Sequence, residues 1–231
     1  NSKKGEILSV EIGEIQTHEV GYTKYRGSTG AFPSYLQPSA IGEVFKVVKI
    51  IDKKIIWNEK LSIPINPMIG VVGLAPEFEA RGNAWAGEWG GNFDIQEITT
   101  GAKVQIPINH DGSFLHIGDM HAIQGDGEIS GGGGIETGGT VKLKCNSEAK
   151  PKGMTWPRII NDDYIMTTAQ ARPAEDAFRI ALSEMILWLE NDYDIDKKEA
   201  FMLLAQVLEA RVTQFVNPTF TYLLKVNKKF L

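Results

Sequence analysis

Alternating apolar and polar residues, the pattern typical of β-strands, fill much of the first two thirds of the chain. In residues 7–15 the apolar Leu8, Val10 and Ile12 alternate with polar neighbours, which predicts a strand with one face in a core. Further strands are predicted by the same pattern at 43–51, 54–58, 92–99, 103–108, 113–124 and 140–145. Residues 21–42, rich in Gly, Ser, Pro and Tyr, predict a long irregular connection.

The last third of the chain changes to a helical period. Apolar residues at helical spacing predict one helix that begins near Pro173 and a second that begins at Asp196, where Glu199 completes a capping pattern. The second helix is expected to bury a stripe that includes Phe201 and Leu204. We therefore predict a single α+β domain over residues 1–231: mostly β, with a strand-rich, sandwich-like body and a C-terminal helical hairpin.

Composition excludes several classes of function. The 24 basic and 29 acidic residues leave a net charge of −5, so nucleic acid and anionic membranes are not expected partners. No apolar stretch is long enough to cross a bilayer. The one cysteine, Cys145, alternates with an apolar strand face, which predicts a buried inert thiol and, with no leader in view, a cytoplasmic protein.

The densest group of polar residues follows the strand predicted at 113–124. Asp119 and His121 are two residues apart, so on a strand they project from the same face, and glycines let Asp126 and Glu128 fold back towards them. A carboxylate and an imidazole side by side are suitable ligands for a divalent metal. The alternative is a salt-bridged strand end followed by an acidic turn.

A second polar group surrounds a pair of glycines at Gly90 and Gly91. Asn92 and Asp94 would share a face if a strand starts there, and an Asn amide beside free backbone N–H groups can stabilise an oxyanion. The alternative is a glycine turn in which Asn92 and Asp94 bond the local backbone.

These motifs, in this order, resemble the acetamidase/formamidase family. The residues that carry the likeness are 70–76 (Gly-Val-Val-Gly-Leu-Ala-Pro), 90–94 (Gly-Gly-Asn-Phe-Asp), 118–128 (Gly-Asp-Met-His-Ala-Ile-Gln-Gly-Asp-Gly-Glu), 172–177 (Arg-Pro-Ala-Glu-Asp-Ala) and 198–201 (Lys-Glu-Ala-Phe). The resemblance implies hydrolysis of small amides such as formamide and acetamide in a metal-associated site. It also implies a largely β homo-oligomer, which we expect to be a homodimer or a homotetramer.

Family members also have a further N-terminal segment with no counterpart here. Because the chain begins at Asn1 and is soon in a strand pattern, we expect that segment to be missing or to form a companion N-terminal fragment.

The sequence hypothesis is therefore metal-assisted hydrolysis of a small amide substrate. Asp119, His121 and Asp126 are the expected metal ligands, with zinc the first choice of ion and calcium the second. Glu128 is the expected general base and proton donor, Asn92 would stabilise the oxyanion, and Asp94 would orient groups or add a ligand. The pocket is expected to be small and closed by Trp85 or Trp89.

Two other interpretations stay open on the sequence. The chain could be a non-catalytic β-rich module that binds a carbohydrate or small ligand through Trp85 and Trp89 and holds structural calcium. It could also be a family member whose amide is a larger metabolite.

Overall fold

The computed structural model describes residues 2–26 and 43–231. Its secondary structure is dominated by strands, as predicted. The strands are β1 (Glu6–Arg26), β2 (Glu43–Ile51), β3 (Lys54–Asn58), β4 (Leu61–Pro64), β5 (Met68–Gly73), β6 (Ala86–Gly87), β7 (Gly90–Asn92), β8 (Lys103–Pro107), β9 (His116–His121), β10 (Glu136–Ala149), β11 (Arg158–Ile160), β12 (Tyr164–Ala171), β13 (Glu209–Gln214) and β14 (Phe220–Asn227). The helices are α1 (Ala174–Asp192) and α2 (Lys197–Val207), and single 3-10 turns lie at Asp126–Glu128 and Lys228–Phe230.

Over the described ranges the strands form one curled antiparallel sheet. The main path runs β13-β14-β12-β11-β8-β1-β10-β9-β5-β7-β6, while β2 pairs with β1 and leads on to β3 and β4. The 21-residue β1 pairs with β8 and β10 along its first part and with β2 along its last part. Two register shifts in its pairing with β10 bend the strand, so one long β1 joins both branches of the sheet.

The main core lies inside this curl, and the helices cover a separate part of the sheet. The inward residues of the central strands pack together around Val10, Ile69 and Ile106. Trp188 and Leu189 of α1 pack with Leu204 of α2, which confirms the predicted helical pair. Asp196 caps α2 by accepting a hydrogen bond from the backbone N–H of Lys198 at 2.9 Å.

Several element predictions were wrong in detail. The strand predicted at 92–99 does not form, because β7 ends at Asn92 and Asp94 has a left-handed φ of 51°. The predicted connection at 21–42 begins as strand through Arg26, and the rest of it lies outside the described residues. Cys145 is exposed rather than buried, and Phe201 of α2 is also exposed, since α2 buries Ala200 and Leu204 instead.

The apolar residues 63–74, which include Pro64 and Pro67, do not form one continuous strand. Residues 65–67 separate β4 from β5, and β5 is buried on both faces. β5 therefore lies inside the sheet between β9 and β7, where the two polar groups of the sequence meet.

Among the helices of the described residues, none is long and apolar enough to cross a membrane.

Candidate metal centre

The end of β9 and the start of β10 bring an imidazole between two carboxylates. Asp119 and His121 lie in β9, and Glu136 of β10 is paired in register with His121. The His121 Nε2 atom lies 3.4 Å from Oδ1 of Asp119 and 3.3 Å from Oε2 of Glu136. The imidazole is 1% exposed, whereas the side chains of Asp119 and Glu136 are 28% and 22% exposed. The carboxylates thus face outward from a buried ring.

Asp94 completes the cluster from the loop after β7. It is 1% exposed, and its left-handed backbone turns the chain out of the β7 ladder. One ligand atom from each of Asp94, Asp119 and His121 lies within 4.8 Å of the others, a spacing that suits a divalent metal.

Gly70 of β5 provides the space for this convergence. A Cβ atom at position 70 would lie 2.4 Å from Oδ2 of Asp119 and 2.5 Å from Oδ1 of Asp94. Both carboxylates therefore occupy the volume that any side chain at this position would need.

Gln124 fixes the tautomer of His121. Its amide nitrogen donates to the backbone oxygens of Asp94 at 2.9 Å and Thr213 at 3.1 Å, so its Oε1 must face the ring. That oxygen lies 2.8 Å from His121 Nδ1, and an oxygen can only accept, so Nδ1 carries the proton. In the neutral ring Nε2 then has its lone pair directed towards Asp119 and Glu136.

This arrangement fits a metal cation. Nε2 of His121 is buried and has no hydrogen-bond partner among the described residues. A lone pair facing two carboxylates is unfavourable unless a proton or a cation lies between them. A ligating histidine whose other nitrogen donates to a fixed oxygen is the usual arrangement in metal sites.

Without a metal, the close approach of these buried groups shifts the pKa values of His121, Asp94 and Asp119. Burial opposes the charged form of His121, but the adjacent carboxylates of Asp119 and Glu136 favour it and raise the pKa of His121 well above the usual value. Burial likewise raises the pKa of Asp94, and the nearby charges of Glu128 and Asp119 raise it further. Although burial opposes this shift, the adjacent imidazole of His121 lowers the pKa of Asp119.

Glu128 lies behind the cluster in the 3-10 turn, where it is 9% exposed. Its carboxyl lies near that of Asp94, and its Oε2 atom has no hydrogen-bond partner among the described residues. Burial raises the pKa of Glu128 to about 7, even though the positive charge of His121 acts in the other direction. Glu128 can therefore hold or release a proton near neutral pH.

Asn92 holds the two carboxylates in place. With its amide nitrogen facing them, Asn92 donates to Oδ2 of Asp119 at 3.1 Å and to Oδ2 of Asp94 at 3.0 Å, and its oxygen accepts from Asn217 at 3.2 Å. The space beside Gly90 and Gly91 is filled by protein. A Cβ atom at position 90 would lie 2.4 Å from the backbone oxygen of Val72, and one at position 91 would lie 2.5 Å from that of Trp85.

Asp126 is placed away from this cluster. Its Oδ1 lies 3.0 Å from Nε of Arg211 and accepts a hydrogen bond from Gln96 at 3.2 Å, and its side chain is 63% exposed. The structure therefore brings Asp94, Asp119, His121 and Glu128 together with Asn92, while Asp126 bonds to the neighbouring β13.

Two clefts meet at Asp119. The apolar cleft, of about 530 Å³, is lined by Val20, Gly21, Tyr22, Phe45, Val47, Asp119, Met120, Glu136, Thr137 and Gly138. The second cleft, of about 430 Å³, is lined by Val71, Asn83, Ala84, Asn92, His116, Ile117, Gly118 and Asp119. Among the described residues, neither lining includes Trp85 or Trp89, so these rings are not the walls that the sequence suggested.

Sequence reasoning missed Gln124, Glu136 and Asn217. Gln124 lies within the motif at 118–128, so its position three residues after His121 was an available signal. Glu136 had none, because only the pairing of β10 with β9 brings it to His121. Asn217 donates to Oδ2 of Asp94 at 3.3 Å from the loop between β13 and β14, also without a local signal.

Comparison with known proteins agrees with the resemblance noted in the sequence. The model of the acetamidase/formamidase family matches residues 79–226. The acetamidase of Mycolicibacterium smegmatis is 45% identical over 56 residues, which cover 24% of this chain and 14% of that relative. The other curated relatives it matches are also aligned over 14% of their length.

Solved structures resemble the whole chain. An acetamidase from Bacillus halodurans superposes with a TM-score of 0.93 at 32% identity, covering 100% of this chain and 76% of that one. A predicted acetamidase/formamidase from Thermoanaerobacter tengcongensis gives a TM-score of 0.91 at 30% identity, with 100% and 75% covered.

Proposed function

Because the chain belongs to the acetamidase/formamidase family, we propose that it hydrolyses carboxamides to ammonia and a carboxylate with the help of a divalent metal. The observation that carries the proposal is the buried Nε2 of His121, which has no hydrogen-bond partner in the described part of the chain, is held in its tautomer by Gln124 and faces carboxylates. A binding module needs no such arrangement, so both the family and the site favour the hydrolase.

Asp94, Asp119 and His121 would hold the metal, with zinc the first choice because imidazole and carboxylate ligands suit it. When bound, such an ion polarises a carbonyl and makes water a stronger nucleophile near neutral pH. Asn92 and Asn217 orient the carboxylates, and Gln124 orients the imidazole. Asp126, bonded to Arg211, supports the turn that carries Glu128.

Glu128 is the proposed proton carrier. A water oxygen forms a bond to the amide carbon, and one water proton passes to the Glu128 carboxylate. The carbon–nitrogen bond then breaks as Glu128 returns that proton to the leaving nitrogen. Glu128 is chosen over Glu136 because it is buried beside Asp94, and burial favours the protonated carboxyl that must return a proton to the leaving nitrogen. Both N–H groups of the Asn92 amide donate to the carboxylates of Asp94 and Asp119, so Asn92 would position these ligands rather than bind the substrate oxygen.

The test combines metal content and ammonia release. The full chain loaded with zinc should release ammonia from formamide, acetamide or propionamide, lose this activity to a chelator and regain it with zinc. His121→Ala should lose bound zinc and activity, whereas His18→Ala, which removes an exposed imidazole, should keep both. Absence of zinc binding and of ammonia release in the unsubstituted chain would refute the proposal.

The roles of the two glutamates are separated by a second comparison at full metal occupancy. Glu128→Gln should lower kcat by about 100-fold or more, as expected for loss of a general base. Glu136→Gln should change kcat much less. The reverse order would transfer the proton-carrying role to Glu136.

The homo-oligomeric assembly, the companion N-terminal fragment and the cytoplasmic location stay predictions. The resemblance that suggested the first two concerns longer proteins than this chain, and the location was predicted from the single cysteine and the lack of a visible leader.

A further inference from the structure

One wall of the apolar cleft exposes large hydrophobic side chains next to the proposed metal centre. Tyr22 of β1 is paired in register with Val47 of β2, and its ring lies 6.5 Å from that of Phe45. Val47 is 70% exposed and Phe45 57%. Val20 lies two residues from Tyr22 and on the same face of β1, which extends this wall. Such a contiguous exposed apolar surface usually has an occupant.

The floor of the apolar cleft is formed by two carboxylates of the proposed metal centre. Asp119 and Glu136 line it and are the partly exposed members of the cluster, while His121 lies buried between them. A cleft of about 530 Å³, apolar along its wall and polar at one end, has the size and the character of a small-molecule site. Formamide and acetamide would leave most of that volume unfilled.

We propose, on the basis of the proposed amide hydrolysis, that the apolar cleft receives the organic substituent of the substrate. The preferred substrate class is then primary carboxamides with an apolar substituent larger than methyl, such as a branched aliphatic chain or a phenyl ring. The carboxamide group lies at Asp119 and Glu136, and the substituent packs against Phe45 and Val47.

The size of the expected preference follows from apolar burial. Each buried methylene favours binding by about fourfold, so kcat/KM should rise steadily from formamide through acetamide and butyramide. Phenylacetamide should exceed acetamide by at least about tenfold. A pocket built for the smallest amides would give the opposite order.

The experiment uses the zinc-loaded full chain and three valine or phenylalanine variants. Phe45→Ala and Val47→Ala should each reduce kcat/KM for phenylacetamide by about three- to tenfold while changing that for acetamide little. Val44→Ala is the matched control, because Val44 is 51% exposed on the same strand and points to the other face of β2. It should leave the ratio between the two substrates unchanged.

A binding measurement separates this inference from the proposed function. Phenylacetamide binding to the metal-free chain, followed by NMR, should exceed acetamide binding and should weaken in Val47→Ala but not in Val44→Ala. If no amide is hydrolysed, the proposed function fails. The binding of phenylacetamide, and its loss in Val47→Ala, then decide whether the apolar cleft receives an apolar substituent. If formamide is hydrolysed best and neither cleft variant changes the discrimination or the binding, the inference is overturned while amide hydrolysis stands. It is also overturned if Val47→Asp dissociates an oligomer and leaves discrimination unchanged.

Discussion

At the scale of single residues, the site depends on what is absent at position 70 as much as on its ligands. The carboxylates of Asp94 and Asp119 carry like charges and converge over Gly70, where only a hydrogen atom leaves them room. Asn92 and Asn217 donate hydrogen bonds that partly offset the repulsion between them. A cation between the carboxylates and His121 would remove the rest of the repulsion.

Gly70→Ala should therefore damage the metal site more than the fold. The new methyl group collides with the ends of two side chains, which can rotate away, so we expect zinc affinity to fall by about 10- to 100-fold. The melting temperature of the metal-free chain should change by no more than roughly 4 °C.

Gly118→Ala is the control. Gly118 lies in β9, next to β5, and a Cβ atom at that position would have no other atom within 4 Å. Equal zinc affinity in Gly70→Ala and in the unsubstituted chain, measured by competition with a chromophoric chelator, would contradict the assigned geometry.

At the scale of elements, a buried arginine of the sheet packs against α1. Arg158 of β11 is 1% exposed and stacks on Trp188 of α1, 4.4 Å from its ring centre. Its three guanidinium nitrogens make no hydrogen bond within the described residues, and the one carboxylate in range, Asp192, lies 3.6 Å away. Burial lowers the pKa of Arg158, which indicates that the charge is poorly compensated. Packing on Trp188 is therefore its main stabilising contact.

Arg158→Met and Arg158→Ala should consequently differ. Met replaces the apolar contact with Trp188 without the cost of burying a charge, so the free energy of unfolding should stay within about 1 kcal/mol or increase. Ala leaves a cavity and should cost on the order of 3 kcal/mol. Urea unfolding measures both. A loss in Arg158→Met as large as in Arg158→Ala would show that the ion pair with Asp192 stabilises the fold.

The element predictions failed where tertiary pairing overrides local pattern. Residues 92–99 alternate like a strand, yet the chain leaves the sheet at Asp94, whose backbone N–H bonds to the Gly70 oxygen at 3.2 Å. The 3.6-residue period of α1 and α2 was reliable because both helices bury one face against the sheet. Periodicity identifies the buried face of an element but does not identify its partner.

At the scale of the whole molecule, the buried acidic cluster makes stability depend on pH. Glu128 has a pKa of about 7 in the folded chain and an ordinary value of 4.5 when unfolded. The folded state thus binds more protons between these values, and the stability of the metal-free chain falls as pH rises from about 4.5 to 7. The raised pKa of His121 adds to the loss above pH 6.5. The raised pKa of Asp94 acts in the same direction as that of Glu128, whereas the lowered pKa of Asp119 acts only near and below 3.8.

We expect the metal-free chain to lose on the order of 3 kcal/mol of unfolding free energy across that window. Glu128→Gln should make the profile shallower, since Gln cannot titrate while Asp94 and His121 still do, whereas the surface variant Glu88→Gln should leave its slope unchanged. Saturating zinc should also restore stability at pH 7 by mass action. Urea unfolding at several pH values tests this, and a profile that Glu128→Gln leaves unchanged would contradict the assignment.

The sequence by itself determined the mostly β fold with its helical pair, the family, and the choice of Asp119, His121, Glu128, Asn92 and Asp94 as candidates. Those features depend on local periodicity and on short motifs, which a linear reading preserves. Only the tertiary structure decided that Asp126 turns to Arg211, that Glu136 faces His121, and that Gly70 makes room for two carboxylates. Strand pairing sets these contacts, and pairing depends on how distant segments share one core, information that no single segment carries.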